Sequence, residues 1–214
     1  MRTRSLLLAA ALLGACRTPP APPAAAPSPN VGTERDAWAR SQGLVLKKLD
    51  LNRDGTPDVF EYFRAEPDPR GAGAAERLVR KDTDINHDGK VDVVELYDAD
   101  GKLAEVRSDL DFDGRVDEIA YYRGGRLTRK ELDLNFDGHP DVVKYYEDDK
   151  LVRIESDRNF DGKVDSWEYF EGGHLDRVGV DTDLDGTVDR WDKRQEDTPA
   201  APEPAGQAKA APPR

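Results

Sequence analysis

Residues 133–141 read DLNFDGHPD, and residues 142–151 continue as VVKYYEDDKL. The first stretch places acids at its first, fifth and ninth positions, Asn at the third and Gly at the sixth. It is a tight polar loop. The second is β-branched and aromatic, has the length of a strand and lacks helical spacing of its apolar residues. It closes on Asp148-Asp149, a pair suited to a two-residue hairpin turn.

The pattern recurs outward in both directions. DLNRDGTPD, DINHDGKVD, DLDFDGRVD, DRNFDGKVD and DTDLDGTVD start at Asp50, Asp84, Asp109, Asp157 and Asp181. With Asp133, successive starts lie 34, 25, 24, 24 and 24 residues apart. The long first interval holds the loop-like insertion PDPRGAGAA at 67–75, and the second carries one extra residue near 99–101. So fixed a period marks a repeat architecture. Each loop leads into a strand (VDVVELY, VDEIAYY, PDVVKYY, VDSWEYF), then a turn such as Gly124-Gly125 or Gly172-Gly173, then a return strand (RLTRKEL, KLVRIES, HLDRVGV). The expected fold is all-β: a repetitive antiparallel meander of about five to six hairpins joined by Asp-rich loops. Turns lie along one edge and Asp loops along the other. By the two-residue alternation of a strand, Phe60/Tyr62, Val94/Leu96, Ile119/Tyr121, Val143/Tyr145 and Trp167/Tyr169 share one face, expected to be the packed one.

The flanks differ in composition. Arg2 and Arg4 precede the apolar run from Leu6 to Leu13, which is too short to span a bilayer. Residues 17–30 and 198–214 are dominated by Pro and Ala and cannot bury apolar surface. The expected organisation is a signal peptide at 1–15, a linker at 16–33, the repeat domain at 34–195 and a disordered tail at 196–214.

The chain holds 44 acidic and 32 basic residues, for a formal charge of −12. That balance argues against nucleic acid as partner, since phosphates demand a basic face. Twenty of the 44 acids stand in the loops, three in four of them and four in the other two. They are Asp50, Asp54 and Asp58; Asp84, Asp88 and Asp92; Asp109, Asp111, Asp113 and Asp117; Asp133, Asp137 and Asp141; Asp157, Asp161 and Asp165; Asp181, Asp183, Asp185 and Asp189. Asn52, Asn86, Asn135 and Asn159 fill the third position of the remaining loops. Calcium takes six to eight oxygens in flexible geometry, which alternating carboxylates around a Gly bend can supply. Asx turns without metal are the alternative. They do not require so many acids: two carboxylates about 4 Å apart repel by about 1 kcal/mol in water and about 4 at an effective dielectric of 20. Removing Arg2 and Arg4 would take the charge from −12 to −14, and six divalent ions would return it to −2. Ca2+ is therefore the expected cofactor; magnesium suits such loops less, because it holds to strict octahedral shells.

The loops resemble the EF-hand calcium loop over about nine residues per unit. An EF-hand would place helices on both sides, whereas both flanks here read as strands. The twelfth positions, where an EF-hand has its bidentate Glu, are Glu61, Glu95, Ala120, Lys144, Glu168 and Asp192. A strand carries that residue roughly 10 Å beyond the ninth, so it is not expected to close the site. The units look more like the calcium loops of FG-GAP and related exported β-repeats, and their hairpins resemble toxin-type β-repeats; neither resemblance implies an activity. Leu13-Gly14-Ala15-Cys16 resembles a bacterial lipobox, which implies lipidation of Cys16, the single cysteine. One cysteine excludes an intrachain disulfide. Arg17 after it implies the outer membrane. The three histidines, His87, His139 and His174, do not share a repeat position, and no phosphate-cradling Gly loop is present, so no catalytic residues are expected. The functional expectation is a non-enzymatic calcium-binding lipoprotein of the cell envelope. The alternative is a calcium-stiffened scaffold or adhesin-like module that binds an envelope protein or glycan through its aromatic face.

Overall fold

The computed structural model of the chain describes residues 32–67, 71 and 73–193. The signal peptide, Cys16, the linker up to residue 31 and the 196–214 tail lie outside the described residues.

One antiparallel sheet of 12 strands, paired in sequence order, makes up nearly all of it. The strands are β1 (Leu44–Leu49), β2 (Val59–Pro67), β3 (Ala74–Thr83), β4 (Val93–Tyr97), β5 (Leu103–Ser108) and β6 (Glu118–Arg123). They continue as β7 (Arg126–Leu132), β8 (Val142–Glu147), β9 (Lys150–Ser156), β10 (Ser166–Glu171), β11 (His174–Val180) and β12 (Arg190–Lys193). Five complete hairpins run from β2–β3 to β10–β11, with β1 and β12 as half-units at the ends. The expected meander is what forms. The insertion at 67–75 lengthens the first hairpin, whose pairing extends out to Pro67 and Ala74.

Turn chemistry sets the register. Asp148 and Asp149 have φ of 48° and 62°, and Gly172 and Gly173 have 60° and 86°. Positive φ at both central residues is the type I′ geometry whose twist matches that of paired strands. Each hairpin also shifts register at one repeat position, after Tyr62, Leu96, Tyr121, Tyr145 and Tyr169, leaving one residue of the return strand unpaired. Such a bulge adds local twist.

Two features were not expected. A helix, α1 (Gly32–Ser41), begins inside the stretch read as linker. Its polar sequence GTERDAWARS hides it, although Glu34 in the first turn and Arg40 in the last suit the helix dipole. Gly43, at φ 67°, ends it by entering the left-handed region. The second feature is the thinness of the fold. The expected face does hold its residues, but packing is tight only beneath α1, where Ala39, Leu44, Phe60 and Tyr62 are buried with Trp38, Leu46 and Val79 against them. Trp38 meets Tyr62 edge-on at 5.2 Å. Arg35, almost fully buried, pairs at 2.8 Å with the equally buried Asp82, which also accepts from Arg80 at 2.6 Å. Among the described residues, no second layer covers β4 to β12, and most of their side chains are half-buried.

An aromatic and basic ladder compensates across that uncovered face. Strand pairing sets Tyr121, Arg129, Tyr145, Arg153, Tyr169 and Arg177 side by side. Arg129 lies 5.7 Å from the rings of both Tyr121 and Tyr145, Arg153 lies 4.0 Å from Tyr145, and Arg177 lies 4.6 Å from Tyr169. Tyr121 and Tyr145 donate to Glu131 and Glu155 at 3.1 and 2.8 Å. Burial first, and then the Glu131 charge, push the Tyr121 hydroxyl up to about 12, so it stays protonated and donating. Such guanidinium–ring contacts stabilise by about 0.5–1 kcal/mol each when exposed.

Candidate metal centre

All six Asp loops emerge on one edge of the sheet, because each joins one hairpin to the next. Their bases are sealed by backbone bonds. The amide of each ninth residue donates to the carbonyl just before the first, as in Asp117 to Ser108 at 2.9 Å and Asp141 to Leu132 at 2.8 Å. Neighbouring loops are stitched likewise: Asp84 donates to the Asp58 carbonyl, Asp109 to Asp92, Asp133 to Asp117, Asp157 to Asp141 and Asp181 to Asp165, all at 2.7–2.9 Å. The loops thus prolong the ladder rather than hang from it.

Inside a loop each acid has a fixed task. The first Asp accepts from the Gly amide with one oxygen, as Asp133 does from Gly138 at 2.7 Å. Its other oxygen takes the fourth amide, Phe136, at 2.7 Å. The ninth Asp accepts from the second amide and, outside the fifth loop, from the third: Asp141 from Leu134 at 2.7 Å and from Asn135 at 3.1 Å. The third and fifth residues each cap the amide two positions on, as Asn135 does for Asp137 and Asp137 for His139. First and ninth residues are buried in the inner loops, while the third and fifth face solvent apart from the half-buried Asn135. Asp50 and Asp189, at the two ends of the row, are exposed.

These bonds are Asx turns, and an Asx-turn scaffold needs them whether or not an ion is held. They do not use up the carboxylates. An ionised Asp has about four lone-pair sites, so amide bonds leave room for a cation. The loops differ in what remains. Oxygens of Asp84, Asp88 and Asp92, of Asp109, Asp111 and Asp117, and of Asp181, Asp183 and Asp189 gather within 4.8 Å of one another. Asp113, read as a ligand, accepts from the Arg115 amide at 2.7 Å and lies outside its loop's triad. The acids of the first, fourth and fifth loops do not converge in this way among the described residues.

The third loop is the most exacting. Oδ2 of Asp109 accepts from Gly114 at 2.7 Å, whereas its buried Oδ1 lacks the well-formed bond from the fourth amide that Asp133 and Asp157 accept at 2.7 Å, the Phe112 amide standing near it without closing that bond. Burial pushes the Asp109 carboxyl above its usual range, with the Gly114 and Phe112 amides acting the other way and the nearby Asp117 and Asp111 adding to the rise. A buried anionic oxygen without a well-formed hydrogen bond, beside two further carboxylates, is the arrangement a divalent cation relieves. In the sixth loop the charge of Asp185, and then that of Asp189, raise the Asp183 carboxyl.

The twelfth-position residues sit in the strands, and of these Glu168 reaches a loop residue, Arg158 at the second position of the fifth loop. Glu95 pairs with Lys81 at 3.0 Å and Glu168 with Arg158 at 3.4 Å. Two features escaped the sequence reading. His87, which shares no repeat position with the other histidines, reaches back to Asp58 of the preceding loop at 2.9 Å. That bond holds the Asp58 carboxyl below its usual value and lifts the imidazole above its own. The fourth residues, Arg53, His87, Phe112, Phe136, Phe160 and Leu184, all take positive φ of 62–67°. Their fixed offset before each Gly was the available signal.

No protein-family model matches the chain. No curated protein matches it either. Among solved structures it is similar, at 13% identity and a TM-score of 0.36, to part of the accessory secretory protein 1, 2 and 3 structure from Streptococcus pneumoniae. It is also similar, at 15% identity and a TM-score of 0.34, to part of a Glycosylation Associate Protein complex from Streptococcus agalactiae. The matches cover 55% and 64% of this chain but 19% and 21% of those, so the chain spans about a fifth of each, and neither likeness carries an argument about it.

Proposed function

We propose that the chain is a non-enzymatic, calcium-binding lipoprotein of the cell envelope, held in the outer membrane through Cys16, whose six loops are ordered by Ca2+. The observation that carries the calcium reading is the buried Oδ1 of Asp109, without a well-formed hydrogen bond, within the Asp109, Asp111 and Asp117 triad. Two like triads, in the second and sixth loops, support it. The ligand set is all oxygen and carries up to four carboxylates per loop, chemistry that favours a hard cation. Because no twelfth residue closes the loops, affinities near ~10⁻⁴ M are expected, as in extracellular modules.

The test is calorimetric titration with calcium, with magnesium as control, beside melting curves in chelator. Heat from calcium together with a raised melting temperature supports the reading. Silence in both would end it. The lipoprotein half stands separately: labelled palmitate should enter the wild-type chain and not Cys16→Ser, and an unlabelled wild type would reject it. A scaffold that grips a protein or glycan through its aromatic face has less support, because the faces of Tyr121, Tyr145 and Tyr169 already stack on arginines.

A further inference from the structure

The loop edge carries a second pattern beside its acids. Leu110, Phe112, Leu134, Phe136, Phe160 and Leu184 occupy second or fourth loop positions and are 40–52% exposed. They form a row along one edge, because consecutive loops are two strands apart, or steps of about 9–10 Å. Large apolar groups set in one row at the surface, unlike singly scattered ones, mark an interaction site.

Backbone energetics sharpen the point. Phe112, Phe136, Phe160 and Leu184 have φ of 62–67°. That region suits Asn, Asp or His, and bulky residues there are outliers. The chain keeps three phenyl groups where Asn would sit with less strain, and leaves them in water. Their exposure therefore calls for an external surface that removes them from it.

Charge points to which surface. Basic side chains stand on the same edge, each beside an acid: Arg115, 70% exposed, lies 3.8 Å from Asp113, Arg158, 59% exposed, 3.4 Å from Glu168, and Lys90, 52% exposed, 3.8 Å from Asp88. Apolar tips framed by Lys and Arg suit an interface of anionic headgroups over acyl chains. The loop carboxylates oppose that approach until cations neutralise them. The direction of the chain agrees. Arg35, in the first turns of α1, contacts Phe60 and Asp82, beside the loops, whereas Trp38 packs further along, on Tyr62. The helix thus starts at the loop edge, and residues 1–31, with Cys16 among them, precede that start in the chain.

We propose that the loop edge is a calcium-dependent docking surface for an anionic lipid bilayer, with Phe112, Phe136 and Phe160 entering the headgroup region. The proposal rests on the calcium reading above, and its test separates the two. Cys16→Ser removes both the lipid site and the single cysteine. In that full-length background, Phe136→Cys labelled with an environment-sensitive dye reports on the loop edge, and Lys150→Cys, likewise labelled, reports on the opposite edge. The probes are phosphatidylcholine vesicles with and without phosphatidylglycerol, in calcium or in chelator. The expected result is a blue shift at position 136 alone, only with calcium and phosphatidylglycerol. Adding Phe112→Asn and Phe160→Asn should weaken this by at least about tenfold. Asn suits the backbone there, so calcium heat and melting temperature should be kept. Calcium binding without a shift at 136, equal shifts at both edges, or a shift that survives in chelator would overturn the proposal while leaving the calcium reading intact. A shift in calcium without vesicles would overturn it as well, by marking the row as a contact between copies. Absence of calcium heat would instead fail the reading beneath it.

Discussion

Asp109 is the residue whose chemistry decides most. Its carboxyl is lifted by burial, so the ionised form is disfavoured in the folded, metal-free state. The sign follows: an acid with a raised folded pKa weakens the fold as pH climbs past its unfolded value of 3.8. Asp109→Asn should therefore raise the melting temperature of the metal-free protein at neutral pH and remove one binding event from the calcium titration. A lower melting temperature in chelator would contradict this. His87 and Asp58 behave oppositely. Asp58 is lowered by the His87 bond, so its contribution is present above pH 3.8 and fades as pH falls through its lower folded value. His87 is raised by the same bond, so its contribution is present below pH 6.5 and fades as pH rises through its higher folded value. In metal-free protein, His87→Gln should lower the melting temperature most near pH 5.5, inside that window, and by less at pH 9. A penalty independent of pH would mean the contact acts by packing alone.

At the scale of the element, a single glycine marks the end of the repeat. The Glu131 and Glu155 position of earlier return strands becomes Gly179, and Trp191 from β12 lies over it. A Cβ there would stand 2.9 Å from Cζ3 of Trp191 and 3.1 Å from Cγ1 of Val188. Gly179→Ala should cost about 1–3 kcal/mol, and Trp191→Ala should relieve much of that loss in the double variant. Additive losses would show that the contact is not the cause. The hairpin turns offer the opposite lever. Asp149 sits at φ 62°, where type I′ turns prefer Gly. Asp149→Gly should therefore raise the melting temperature by a few degrees, or about 0.5–1 kcal/mol.

For the whole molecule the deciding fact is an open sheet covered at one end only. Buried apolar residues concentrate in α1 and β1 to β2, and Ala120 is the exception among the described residues. Repeats that touch only their neighbours open independently. Hydrogen exchange in chelator should show protection falling from β1–β3 toward β12, with calcium slowing exchange chiefly in the distal hairpins. Uniform protection would contradict both the thin core and the role given to the loops. Each filled site should add about 2.7 kcal/mol at a hundredfold excess of calcium over Kd.

Local patterns were sufficient for much of this architecture. The loop period, the meander, the turns at Gly124-Gly125, Asp148-Asp149 and Gly172-Gly173 and the shared face of Tyr121, Tyr145 and Tyr169 all follow from nearest-neighbour rules of alternation and turn chemistry, which a sequence displays directly. What only the tertiary structure decided depends on neighbours distant in sequence. The helix α1 is too polar to announce itself and is held by Trp38 on Tyr62 and by Arg35 on Asp82, 47 residues away. Which acids converge was hidden in part. The triads of the third and sixth loops use Asp111 and Asp183, the third-position acids that only those two loops carry, whereas Asp84, Asp88 and Asp92 of the second loop converge from positions whose counterparts in the first, fourth and fifth loops do not.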